Sequence, residues 1–163
     1  MPPGLPSAAA CPATNPGGPG RAASPAHILV VDDDPAVRGT VALVLESAGY
    51  RVGCAADGEA GWDAVCSARP DLLITDHEMP KLTGLELLRR VRAGSRHLPA
   101  IMISGCPPRG EADLESLLQP GAVLPKPFSI GVLLAKVQEL LHGSLAGSPA
   151  DSREGWPLAS RQS

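Results

Sequence analysis

Three consecutive aspartates, Asp32, Asp33 and Asp34, stand directly behind one short apolar run, and Asp76 stands behind another. Ser104 and Lys126 follow two later runs. Carboxylates gathered in one place repel one another and require a cation. An oxygen-only donor set suits a hard ion, and Mg²⁺ held by a few carboxylates and its remaining waters fits best. Asp76, alone at its strand end, has the further option of attacking phosphorus as a nucleophile. A hydroxyl (Ser104) and an ammonium (Lys126) would then meet the phosphoryl oxygens with a hydrogen bond and a counter-charge. Taken singly, each residue has a plain structural role. Asp33 reads as a helix cap or turn residue, Asp34 as the same, Asp76 as a loop residue before Pro80, and Lys126, between two prolines, as a solvated loop lysine. Only convergence makes them a site.

Convergence depends on the elements between them. His27–Val31 is a β-branched apolar run. Asp34 and Pro35 then suit N-cap and first helical position. Val37, Val41, Val44, Leu45 and Ala48 recur at helical spacing, and Gly49 can end that helix. Residues 50–55 read as a second strand, and Asp57-Gly58 opens a helix with Ala60, Trp62, Ala64 and Val65, stopped by Pro70. Residues 71–75 form a third strand, and 84–93 a helix that turns Leu85, Leu88 and Val91 inward. A fourth strand covers 100–103, a weaker helix lies near 111–118, and a fifth strand covers 122–124. The last helix starts at Ser129 and carries Leu133, Val137, Leu140 and Leu141 on one face.

This is a strand–helix unit repeated five times. Uninterrupted apolar strands alternating with amphipathic helices imply an α/β fold: a (βα)5 doubly wound, five-stranded parallel sheet covered on both faces. In such sheets the loops after the strands emerge on one edge, where ligands bind. Every residue of the acidic, hydroxyl and ammonium set stands at such a strand end.

The segments ILVVDDDPAVR (28–38), DLLITDHEMPKLTGLELL (71–88), IMISG (101–105) and LPKPF (124–128) together resemble the receiver domain of response regulators in two-component phosphorelay systems. The resemblance covers the whole 26–142 region. It implies the flavodoxin-like strand order 2-1-3-4-5, and a phospho-acceptor switch rather than an enzyme acting on an external substrate. By position, Asp76 matches the phospho-acceptor, and Asp32 and Asp33 match the acidic pair that holds Mg²⁺, Asp33 directly. Glu78 would offer its backbone carbonyl to the metal. Ser104 matches the Ser/Thr switch position and Lys126 the invariant lysine, with a cis bond implied between Lys126 and Pro127. The implied partner is a sensor histidine kinase or a histidine phosphotransfer protein, and the implied location is the cytoplasm. His77 reads as a surface residue, since relay histidines of such systems lie on helical bundles, which this chain lacks.

Three departures from the family pattern bear on signalling more than on phosphorylation. Val123 stands where many members carry an aromatic switch residue. Gly121-Ala122-Val123-Leu124 shortens the connection into the fifth strand. Pro107 and Pro108 stiffen the loop after Ser104.

Composition bounds the rest. The 163 residues form one domain plus tails. Hydrophobic residues make up 44%, yet only Tyr50, Trp62, Phe128 and Trp156 are aromatic, so the core is aliphatic. A net charge of −3 argues against a nucleic-acid surface. No apolar run is long enough to span a membrane, and the N-terminus has neither a basic region nor an apolar core for secretion. The four cysteines show no metal spacing with the four histidines; Cys54 and Cys66 sit in apolar segments and read as buried reduced thiols, in keeping with the cytoplasm. Residues 1–26, with seven prolines and four glycines, and residues 143–163 read as disordered tails flanking a domain at 27–142. Trp156 reads as an incidental tail residue. Met1 suggests a complete small protein without an effector domain, whose output is a protein contact or onward phosphoryl transfer.

Two rivals use the same residues. A haloacid-dehalogenase-type phosphatase would begin with Val30-Val31-Asp32-Asp33-Asp34, but it needs a further acidic pair after the lysine and leaves Asp76 unemployed. A receiver-like interaction module that works without phosphate is favoured by Val123 and disfavoured by the complete acidic set.

Overall fold

A computed structural model describes residues 24–94, 97–106 and 114–143. Trp156, Pro107, Pro108 and most of both expected tails lie outside that range. The strands are β1 (His27–Val31), β2 (Arg51–Ala55), β3 (Leu72–Asp76), β4 (Ala100–Ser104) and β5 (Gly121–Pro125). The helices that follow them are α1 (Pro35–Ser47), α2 (Gly58–Ala68), α3 (Gly84–Ala93), α4 (Leu114–Leu118) and α5 (Ile130–His142). Every strand pairing is parallel, in the order β2-β1-β3-β4-β5. The expected architecture and strand order both hold.

Period-two alternation builds the two layers. Leu29, Val31, Leu73, Ala100 and Met102 face one core, which α2, α3 and α4 cover with Val65, Leu87, Leu88, Val91 and Leu118. Ile28, Val30, Leu72, Ile74, Ile101 and Ile103 face the other, covered by Val41 and Leu45 of α1 and Leu133 and Val137 of α5. Both layers are aliphatic, as the composition demands.

Local chemistry sets the helix ends. The Asp34 carboxylate accepts from the Ala36 and Val37 amides, and the Ser129 hydroxyl accepts from Val132. Thr83 and Glu86 form a reciprocal capping box at α3. Gly49 ends the first unit at φ +93°, a conformation costly for any residue with a Cβ.

Some expectations need correction. Ala48 is exposed beyond the end of α1, because the helix stops at Ser47. On α2 the buried residues are Gly58, Gly61 and Val65, while Ala60 is exposed. A Cβ at Gly61 would lie 3.0 Å from the methyls of Val31, so the helix sits close to β1 and a larger residue there would have to push Val31 aside by a few tenths of an ångström. Leu87 is buried together with the expected α3 residues. Cys54 is exposed, and Cys66 is half-buried and disulfide-bonded, so neither is a buried reduced thiol. None of the described helices is long and apolar enough to cross a membrane.

One buried group gives the fold a pH response. His27 is 9% exposed, its Nδ1 has no hydrogen-bond partner among the described residues, and its amide donates to Asp71. Burial first, then the Arg51 charge, holds its imidazole below the ordinary 6.5, against the Ala68 carbonyl and Asp71. The unfolded chain therefore takes up the proton first. Stability present above about pH 6.5 should be lost as pH falls toward and through the lowered value. Urea melts at pH 7 and pH 5 should show this loss, and His27→Leu should shrink it; an equal loss in the variant would remove His27 as its source.

Candidate functional site

The ends of β1, β3, β4 and β5 meet on one edge of the sheet, and backbone bonds lock them there. Asp32 donates to the Ala55 carbonyl at 3.2 Å, His77 to Ile103 at 2.8 Å, and Lys126 to Ser104 at 2.9 Å. The side chains that follow each strand thus share a rigid frame.

Asp32, Asp33 and Asp76 each present a carboxylate oxygen there, and these oxygens lie within 4.8 Å of one another. Asp32 and Asp76 are buried, whereas Asp33 faces solvent. At that spacing each pair of charges costs roughly 3 kcal/mol with an effective dielectric near 20. Lys126 partly offsets this: its Nζ lies 2.8 Å from Asp76 Oδ1 and stays 35% exposed at the mouth of the site. One ammonium against three carboxylates leaves a net negative, oxygen-lined site, which suits a hard divalent cation.

The titration behaviour follows the same balance. Burial, reinforced by the Asp76 and Asp33 charges, holds the Asp32 carboxyl above the usual carboxylate range, against the Asp34 amide and Lys126. Burial alone would lower the Lys126 ammonium. Its hydrogen bond to Asp76 and the charges of Asp76, Asp32 and Asp33 together outweigh it and raise the value.

The other expected residues fall in different places. Asp34 is exposed and spends its carboxylate on the α1 cap, so the second aspartate of a phosphatase motif is absent from the cluster. Ser104 is buried at the end of β4, with its hydroxyl donating to the Cys106 carbonyl and not to an acidic side chain. Glu78 lies in the exposed loop two residues past Asp76. His77 is half-buried, with its Nδ1 buried and unpaired among the described residues. Val123 is half-buried against the α2–α3–α4 core. Lys126–Pro127 is cis, as the resemblance implies.

Sequence reasoning missed the groups that hold the loop after Asp76. Gly84 packs so tightly that a Cβ would run into the Asp76 carbonyl, and one at Gly58 would run into the Leu82 carbonyl. Lys81, left-handed at φ +68°, reaches Asp57 at 2.8 Å and ties the loop to the start of α2. The Lys81 ammonium is raised and the Asp57 carboxyl lowered, the latter chiefly by the Ala60 amide. The glycines were a visible signal. The Asp57–Lys81 pairing, 24 positions apart, had none.

Comparison with known proteins bears on the whole site. A family model described as "Response regulator receiver domain" matches residues 28–138. The response regulator MprA of Mycolicibacterium vanbaalenii is 40% identical over 120 residues, covering 72% of this chain and 51% of that protein. MprA of Mycobacterium avium is 39% identical over 128 residues, with 77% and 55% covered. The chain thus spans about half the length of these curated relatives. Among solved structures, the chemotaxis response regulator CheY4 of Vibrio cholerae superposes with a TM-score of 0.65 at 32% identity, over 72% of this chain and all of that one. The receiver domain of a sensor histidine kinase from Pseudomonas aeruginosa, described with a magnesium ion coordinated in its active site cleft, gives 0.62 at 30% identity, with 73% and 99% covered.

Proposed function

The chain belongs to the response regulator receiver domain family, and from that premise we propose that it is a phosphorylation-dependent switch with Asp76 as acceptor. The observation that carries this reading is the buried Asp76 carboxylate, joined by Lys126 at 2.8 Å and sharing its site with Asp32 and Asp33. The donor is a phosphohistidine on a sensor histidine kinase or a histidine phosphotransfer protein. An Asp76 oxygen attacks phosphorus, the O–P bond forms as the N–P bond breaks, and the departing imidazole nitrogen keeps that electron pair and takes a proton from water.

Asp32, Asp33, Asp76 and the Glu78 carbonyl would hold Mg²⁺. When bound, the cation supplies charge neutralisation for the phosphoryl oxygens. Lys126 moves from its bond with Asp76 to pair with the new dianionic group. Ser104 must release the Cys106 carbonyl before its hydroxyl can turn toward that group, which makes the segment after β4 the element biased by phosphorylation. Val123 offers no aromatic rotamer to relay the change. We therefore assign the output to the segment after Ser104, read by a protein contact or by onward phosphoryl transfer.

Intact-protein mass after incubation with acetyl phosphate tests the reading. A gain of about 80 Da, one phosphoryl group on a carboxylate, should require Mg²⁺ and vanish in Asp76→Asn. Absence of the adduct, with a phosphohistidine donor failing too, would replace the switch by the phosphate-independent module that Val123 favours.

A further inference from the structure

Arg38 is absent from every role assigned so far, yet it touches the acidic turn directly. The β1–β2 ladder ends at the pairing of Val31 with Ala55. Beyond it the Asp32 amide still donates to Ala55, but the Asp32 carbonyl has run past the last strand donor. The Arg38 guanidinium, one turn into α1, supplies that missing partner: its Nη1 donates to the Asp32 carbonyl at 2.6 Å in a part-buried setting. A short, charge-assisted bond of this kind is about twice as strong as a neutral one.

The remaining groups of the turn are fixed from the other side. The Asp32 Oδ1 accepts from the Asp34 amide at 2.9 Å, and the Asp34 carbonyl accepts from the Arg38 amide at 2.9 Å. Arg38 therefore closes a ring from the Asp32 carbonyl, through its own side chain and backbone, to the Asp34 carbonyl. Asp33, the most exposed carboxylate of the cluster, lies inside that ring.

Resting on the receiver reading, we propose that Arg38 is a positioning residue for the divalent-cation site, holding the Asp32–Asp33 peptide so that both carboxylates converge on Asp76. Its charge is not the means. The guanidinium meets a backbone carbonyl, the Asp32 oxygen 2.6 Å from Nη1, and is ion-paired with no carboxylate of the cluster among the described residues. The effect belongs to the planar, directed donor, and lysine cannot reproduce that geometry.

Isothermal titration of the full chain with Mg²⁺ tests this without reference to phosphorylation, with melting curves in EDTA alongside. Outer-shell partners of metal sites are worth about 10–100-fold in affinity. Arg38→Met should weaken Mg²⁺ about tenfold, at the lower end of that range because the contact is to backbone, and Arg38→Lys about threefold. Affinity within twofold of wild type in Arg38→Met, whatever its melting point, overturns the proposal and leaves Arg38 a structural residue. Full recovery in Arg38→Lys overturns it too, by assigning the effect to charge. If Arg38→Met does not fold, Arg38→Lys decides: threefold weakening supports positioning, and unchanged affinity refutes it. Wild-type protein that binds no Mg²⁺ sinks the metal-site reading itself, a result distinct from a normal wild type with an unaffected variant.

Discussion

Lys126→Met should slow phosphorylation of Asp76 by acetyl phosphate by roughly 10²–10³-fold, the usual loss when one preorganised group facing developing charge is removed. Its Nζ is 2.8 Å from the acceptor, and it is the only cation that the described side chains bring into the acidic cluster. The same substitution should destabilise the protein. Removing one partner of a fully buried ion pair costs about 3–5 kcal/mol. Here the lysine is 35% exposed while Asp76 is 5% exposed, so water screens part of the loss and about 1–2 kcal/mol is expected. That corresponds to a few degrees in melting temperature. A variant that is phosphorylated at the wild-type rate would show that Lys126 is only a structural counter-ion.

Asp32→Asn should move stability the other way. The folded Asp32 carboxyl holds its proton more tightly than the unfolded one, because burial and the neighbouring carboxylates disfavour its charge. A group raised in this way contributes stability below its unfolded value, and that contribution is lost as pH rises through the folded value. At neutral pH the ionised Asp32 therefore destabilises the metal-free protein. The asparagine keeps an oxygen for the Asp34 amide, now bonded to Asp32 Oδ1, and removes the charge. In EDTA the melting temperature should rise above wild type by several degrees: the repulsions with Asp33 and Asp76 are relieved and the attraction of Lys126 is lost, for a net gain of about 1–2 kcal/mol.

Mg²⁺ should then reverse the order. A ligand at about one hundred times its dissociation constant stabilises by roughly 2.7 kcal/mol, and this gain should nearly vanish in Asp32→Asn. Melting curves with EDTA and with Mg²⁺ check both halves. If Asp32→Asn destabilises the metal-free protein as Lys126→Met does, the carboxylates are not under mutual repulsion and the site is not built for a cation.

These opposite signs belong to a site that sacrifices stability for binding, and such a site was legible in sequence for a physical reason. The strands of a sheet covered on both faces are continuous apolar runs, so Val31, Thr75, Ile103 and Leu124 announce the strand ends behind which Asp32, Asp76, Ser104 and Lys126 stand. Capping is equally local: Asp34, Thr83 and Ser129 act within three residues of themselves. What escaped were contacts between distant elements. Periodicity scores Gly61 as neutral, yet it is buried against the Val31 methyls, where α2 comes close to β1. Cys54 lies in a short strand at the sheet edge, and an edge leaves exposed what an apolar neighbourhood in sequence suggests is buried. The role of Arg38 was not visible either, because nothing in a linear reading shows where the β1–β2 ladder ends.

The central claim is that phosphorus is accepted by one particular carboxylate. Borohydride reduction of the acetyl-phosphate-treated protein, followed by peptide mapping, reads this directly, since an acyl phosphate is reduced to the alcohol and aspartate becomes homoserine at the modified position. Homoserine at position 76 alone, dependent on Mg²⁺, is the expected result. Homoserine at 32 or 33, or a phosphoryl group that resists reduction because it sits on His77, would contradict the account.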